Sequence, residues 1–92
     1  MQVIWTEPAL DEIDQAYAYF ADFNPQAAMN VAIALRAAGD SLEDFPQRGR
    51  PVTGTDMREL VAPYRFILRY LVTDDAVVIL RVRHSSRRPT VS

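Results

Sequence analysis

The chain contains no cysteine and one histidine, His84. Disulfides, a thiolate metal site and a cysteine nucleophile are therefore excluded. An all-protein zinc site is not expected, because such sites draw on several histidine or cysteine ligands. Lysine is also missing, so all 10 basic residues are arginine. Arginine suits planar, two-pronged contacts to phosphate and carboxylate, although genome composition alone can produce the same bias. No apolar run exceeds the six residues 16–21, far short of the roughly 20 that a membrane helix needs. The first twelve residues carry Glu7, Asp11 and Glu12 but no base, which does not fit a secretory signal. Gly49 and Gly54 form no phosphate-cradling pattern. The expectation is a soluble cytoplasmic protein with no metal, no cofactor and no membrane partner.

With 92 residues there is room for one domain, spanning 1–92. Apolar residues make up 49% and charged residues 24%, which fits a folded chain and not a disordered one. The net charge of -2 hides an asymmetry. Residues 1–45 hold eight acids and Arg36 alone among bases, a balance of -7. Residues 46–92 hold nine arginines and four acids, a balance of +5. Either the two halves attract one another or the second half presents a basic working surface.

A short strand is expected over 2–6, rich in β-branched and aromatic residues. Thr6-Glu7-Pro8 then reads as a helix start, with Thr6 capping and proline in the first turn. Ala9, Leu10, Ile13, Ala16, Tyr17 and Phe20 follow at helical spacing. Asn24-Pro25 repeats the start signal for a second helix, whose stripe is Ala28, Val31, Ala32, Leu35, Leu42 and Phe45. Gly39 falls inside it, where a bend is possible. Met29 and Ile33 lie off this stripe and are either extra core or a surface for a partner. The two helices should form an antiparallel hairpin. Residues 45–51, with two prolines and a glycine, read as a connecting loop. Three strands follow, over 57–61, 64–72 and 77–84, joined by short turns as an antiparallel meander. Residues 85–92 read as a polar tail. The fold class is thus α+β, in the order β-α-α-β-β-β.

Strand alternation predicts the faces. Tyr64, Phe66, Leu68, Tyr70 and Val72 should bury with Val78, Leu80, Val82 and His84. The opposite face should carry Arg65, Arg69, Arg81 and Arg83, interleaved with Ile67, Leu71 and Ile79. Arg87 and Arg88 continue the basic character. Such a face is either a docking surface for an acidic or anion-rich partner, or a solvated surface whose arginines pair with Asp56, Glu59 or the acidic helices. His84, at a strand end among arginines, could act as acid or base in RNA cleavage or hold a purely structural place. Neither Ser85 nor Ser86 supplies an obvious second proton-transfer group.

Four stretches together resemble the RelE/ParE superfamily of bacterial toxin–antitoxin toxins. They are Val3-Ile4-Trp5-Thr6 with Ala9 and Leu10; Phe45-Pro46-Gln47-Arg48-Gly49-Arg50-Pro51; Arg58-Glu59-Leu60-Val61; and the hairpin from Tyr64 to Tyr70 through Val78-Ile79-Leu80-Arg81-Val82-Arg83-His84. The resemblance implies a strand, a helical hairpin and an antiparallel sheet, and a cognate ParD-like antitoxin as partner. It also implies one of two activities. The ending Arg83-His84-Ser85-Ser86-Arg87-Arg88, without lysine or a tyrosine after Tyr70, is similar to the ParE pattern. That pattern implies inhibition of DNA gyrase by binding, with Arg65, Arg69, Arg81, Arg83 and Arg87 as the target surface and no catalytic residue. The alternative is a RelE-like, ribosome-dependent messenger RNA endonuclease, with Arg65, Arg81 and Arg83 steadying the scissile phosphate and His84 moving the proton. Met29, Ile33, Ile67 and Leu71 are the expected receivers of the antitoxin.

Overall fold

In the computed structural model, which describes residues 1–86, Thr6 closes the first strand and opens the first helix at once. Its backbone is extended (φ -70°, ψ 160°) and its Oγ1 accepts from the Ala9 amide at 3.4 Å. The same hydroxyl donates to the Ile79 carbonyl at 2.7 Å, which fastens this junction to the last strand. Strand β1 (Gln2–Trp5) therefore leads directly into helix α1 (Glu7–Ala21). Asn24 caps helix α2 (Pro25–Asp40) by accepting from the Gln26 and Ala27 amides at 2.9 and 3.1 Å. Proline opens both helices, where its missing N–H leaves no bond unmade.

After a single tight turn at Ser41–Glu43 come β2 (Arg50–Pro51), β3 (Met57–Ala62), β4 (Phe66–Val72) and β5 (Ala76–His84). The sheet order is β1-β5-β4-β3-β2, with all pairs antiparallel except β1 against β5. The expected α+β architecture is present, with two additions. The stretch 45–51 is more than a loop, because Arg50 and Pro51 pair with Glu59 and Arg58 at the sheet edge, where a strand tolerates proline. The first strand also joins the sheet, parallel to the last.

One face of the sheet lies under the helical hairpin. Ile13, Val31, Leu35 and Leu42 meet Leu68, Tyr70, Val77, Ile79 and Val82 in a single core. Removing one such side chain from water contributes about 1.5–3 kcal/mol. Alanines at positions 9, 16 and 28 are also buried, which lets the helix backbones approach closely. Gly39 does not mark a bend. A Cβ there would sit 2.3 Å from Cζ2 of Trp5 and 2.7 Å from Cδ1 of Ile79, so the indole occupies the space a side chain would need. Trp5 is further held by a 3.0 Å hydrogen bond from Nε1 to Asp40 and by Arg36, 5.0 Å from the ring centre.

The faces of β4 follow strict alternation: Phe66, Leu68 and Tyr70 are buried, while Ile67, Arg69 and Leu71 are not. Those of β5 do not. Arg69 pairs with Arg81 and Tyr70 with Ile79, leaving Leu80 as an extra, bulged residue. The bulge re-phases the strand, so Val77 and Ile79 are buried and Val78 and Leu80 are not. The expected placement of Ile79 outward and of Val78 and Leu80 inward is therefore reversed. The second correction concerns Tyr64 and Arg65. Both lie before β4, in a turn where φ is 61° and 66°. Neither extends the strand, because the chain must reverse after Pro63 and does so in the left-handed region.

Candidate functional site

The face of the sheet turned away from the helices carries three cross-strand rows, fixed by register. The first is Ile4–Val78–Leu71–Met57, wholly apolar. The second is Glu59–Arg69–Arg81 and the third Val61–Ile67–Arg83. Val61 is 71% exposed, so the third row opens to solvent. Arg65 stands at the same end, its carbonyl accepting from the Ser85 amide at 2.7 Å.

These arginines fall into two classes. Arg69 and Arg81 are directly opposite one another, an arrangement in which like charges repel. Each is answered by a carboxylate on its outer flank. Glu59 Oε2 accepts from Nη2 of Arg69 at 2.5 Å and from Nε at 3.0 Å. Glu12, reaching over from α1, accepts from Nη2 of Arg81 at 2.8 Å. Its other oxygen, Oε1, accepts from the Val82 amide at 2.7 Å. The hydrogen bond to Glu12 holds the Arg81 guanidinium more firmly protonated than usual; desolvation opposes this and the Glu12 charge adds to it. By contrast, Arg65 and Arg83 are exposed, and their guanidiniums have no hydrogen-bond or ion-pair partner among the described residues. Arg87 lies outside the described residues. Arg81–Glu12 thus joins the basic half to the acidic half, while Arg65 and Arg83 stay exposed at one end of the sheet.

At the open edge of β5, past the last residue paired with β1, a cleft of about 470 Å³ opens between α1 and the strand end. Glu12, Gln15, Tyr19 and Phe20 form one wall and Arg81, Arg83, His84 and Ser86 the other, with Phe66 at the base. The His84 ring meets Phe66 edge to face, with centroids 5.1 Å apart. Its Nδ1 accepts from the Ser86 amide at 3.3 Å and lies 2.6 Å from the Ser86 hydroxyl. A backbone N–H can only donate, so the proton of the neutral ring sits on Nε2. Glu12, the cleft's carboxylate, is already engaged by Arg81 and Val82. Among the described residues, no group of three or more histidine, aspartate or glutamate side chains is placed to hold a metal ion. No described helix is long and apolar enough to cross a membrane.

The four expected antitoxin receivers do not form one patch. Met29 and Ile33 are 48% and 61% exposed on α2, one turn apart, so they are surface and not extra core. Ile67 and Leu71 are half-buried on the outer face of the sheet, beyond the helices. A single chain touching all four must wrap around the molecule. Sequence reasoning missed Val61, the outward Ile4 and the cleft residue Tyr19. Alternation along 57–61 carried the signal for Val61; nothing local signalled the cleft.

Comparison with known proteins agrees with this architecture. The family described as "ParE toxin of type II toxin-antitoxin system, parDE" matches residues 3–89. "Toxin RelE2" of Caulobacter vibrioides is 43% identical over 86 residues, covering 94% of this chain and 97% of that protein. "Putative toxin Y4kP" of Sinorhizobium fredii is 35% identical over 88 residues, covering 95% and 91%. Among solved structures, a chain of the "Chromosomal ParDE TA system from P. aeruginosa" superposes with a TM-score of 0.84 at 22% identity, covering 91% of this chain and 95% of that one. That likeness establishes a shared fold. The chain is a member of the ParE family, toxins of type II toxin–antitoxin systems within the RelE/ParE superfamily.

Proposed function

We propose that the protein acts by binding and not by chemistry. It docks the end of its outer sheet face on DNA gyrase, blocks replication in the cytoplasm, and is neutralised by a cognate ParD-like antitoxin. The observation that carries this reading is the unpartnered guanidinium of Arg83 in the row with the exposed Val61 and half-buried Ile67, with the exposed Arg65 in the turn at the same end of the sheet. Arginines with apolar neighbours are a common composition for a protein-binding hot spot. Arg69 and Arg81 border the same surface, and Arg87 extends it in sequence. The antitoxin meets Met29 and Ile33 on the hairpin and Ile67 and Leu71 on the sheet, as a chain that orders on binding.

A second reading, a ribosome-dependent messenger RNA endonuclease, is favoured by one feature. His84, with its proton on Nε2, shares a cleft with Arg81 and Arg83. Arg65, Arg81 and Arg83 would then steady the phosphate and His84 would move the proton. The engagement of Glu12 leaves that cleft short of a free carboxylate base, which weighs towards binding.

Two assays with purified protein separate these readings: gyrase supercoiling, and translating ribosomes carrying a reporter message. We expect loss of supercoiling with intact message, relief by premixed antitoxin, and at least a tenfold weaker effect for Arg83→Glu (about 1.4 kcal/mol). Message cleavage that disappears in His84→Ala would overturn the proposal.

A further inference from the structure

The second row of the outer face reads, from β3 across to α1, Glu59–Arg69–Arg81–Glu12. Two cations sit side by side at its centre and an anion flanks each, so the row carries no net charge. The arginines are not sealed away: each side chain is 42% exposed, within reach of a large partner. Surface pairs of this kind add little stability, about 0–1 kcal/mol each. Their larger effect is on which partner the face accepts. A strand of nucleic acid gains most of its affinity by placing phosphates on cations and releasing counterions. An arginine already held by its own carboxylate offers little of that gain. Without the two glutamates, Arg65, Arg69, Arg81 and Arg83 would form a basic band across one end of the sheet.

We propose that Glu59 and Glu12 are specificity-determining residues that exclude single-stranded nucleic acid from the outer face and so reserve it for a protein partner. Discrimination of this sort comes from an element that opposes the wrong partner as much as from contacts to the right one. The inference deepens the reading above, in which the target is a protein. Its test nevertheless uses a different readout, so either can fail alone.

The experiment measures binding of a short fluorescent single-stranded RNA by anisotropy, between about 50 and 200 mM salt. The proteins are wild type, Glu59→Gln, and Glu59→Gln with Glu12→Gln. Glutamine removes the charge, and its one carbonyl oxygen can still accept from Arg69 at position 59, and from the Val82 amide and Nε of Arg81 at position 12. We expect weak binding by the wild type and about tenfold tighter binding by the double variant. The logarithmic salt slope should steepen by about 1.4, at 0.7 for each freed phosphate contact on a single strand. Adding Arg69→Gln to Glu59→Gln should return affinity to the wild-type level. Asp74→Asn, which makes the same change in net charge in the β4–β5 turn, should change it less than twofold. Thermal melts confirm folding, and if the Glu12 change melts early the Glu59→Gln protein alone decides. Unaltered affinity in folded Glu59→Gln, a wild type that already binds as tightly, or an equal gain from Asp74→Asn would each overturn the inference.

Discussion

Tyr70→Phe removes one oxygen from the centre of the molecule, and its cost can be worked out from the contacts of that oxygen. Tyr70 is fully buried on β4. Its hydroxyl accepts from the Gly49 amide at 2.8 Å and donates to the Pro46 carbonyl at 2.9 Å. Through these two bonds the stretch before β2 is held against the sheet. Gly49 is required there, since a Cβ would stand 2.7 Å from that hydroxyl and 2.7 Å from the Glu59 carbonyl. Phenylalanine keeps the ring and its apolar burial, so only the polar balance changes. The Gly49 amide is left buried without an acceptor, and a stranded buried group costs about 1–3 kcal/mol. The Pro46 carbonyl is closer to solvent and adds less. The sum is about 2–3 kcal/mol, a large share of the ~5–15 kcal/mol that holds a small domain together. At about 4–8 °C per kcal/mol for a chain of this size, Tm should fall by roughly 10–20 °C. Urea unfolding should show a lower midpoint with an unchanged m-value. Exchange of the Gly49 amide should quicken more than that of Leu68, deep in β4. Tyr17→Phe is the internal control, because the Tyr17 hydroxyl lies on an exposed face of α1. If Tyr70→Phe loses no more stability than Tyr17→Phe, the assignment of Tyr70 as the anchor of this segment is wrong.

Three further perturbations follow from the same contacts. Gly39→Ala drives a methyl into Trp5; overpacking of about 1–3 kcal/mol outweighs the ~1 kcal/mol gained in helix propensity. The variant should melt lower with shifted Trp5 emission, and an equal or higher Tm would contradict the packing. Glu12→Ala strands the Val82 amide and frees Arg81, costing about 1–2 kcal/mol in urea melts, whereas Glu12→Gln should recover at least half of that loss. Tyr64→Gly relieves a left-handed residue that is not glycine, so Tm should rise by an amount equivalent to about 0.5–1 kcal/mol; a drop would mean that the Tyr64 side chain contributes packing worth more than the strain.

What the sequence disclosed depended on how local its cause was. Both helix starts were legible because a cap and a proline act within four residues, and Thr6, Pro8, Asn24 and Pro25 do what their chemistry dictates. The face of β4 was legible because nothing interrupts its alternation. The pairing of β1 with β5 was not, since it joins residues more than seventy positions apart. Nor was the turn at Tyr64 and Arg65, where φ is positive without glycine or asparagine to announce it. Gly39 was visible as an anomaly, but its cause is an indole brought in from β1, which no helical pattern contains.

The bulge at Leu80 explains why the candidate surface was read better than the strand that carries it. Alternation counted back from His84 is correct as far as Arg81, so Arg81 and Arg83 do emerge on the outer face, opposite Arg69 and Ile67. Beyond Leu80 the phase inverts, and Val77 and Ile79 turn inward to meet Val72 and Tyr70. The inversion has a second effect. Pairing of β1 stops at Ile79, and the Val82 amide beyond the bulge is left to Glu12. The carboxylate that closes this open strand edge is the one that holds Arg81. One extra residue thus sets which hydrophobic side chains build the core and also draws an acid from the first helix to the central arginines, coupling the closure of the sheet to the charge of the face it presents.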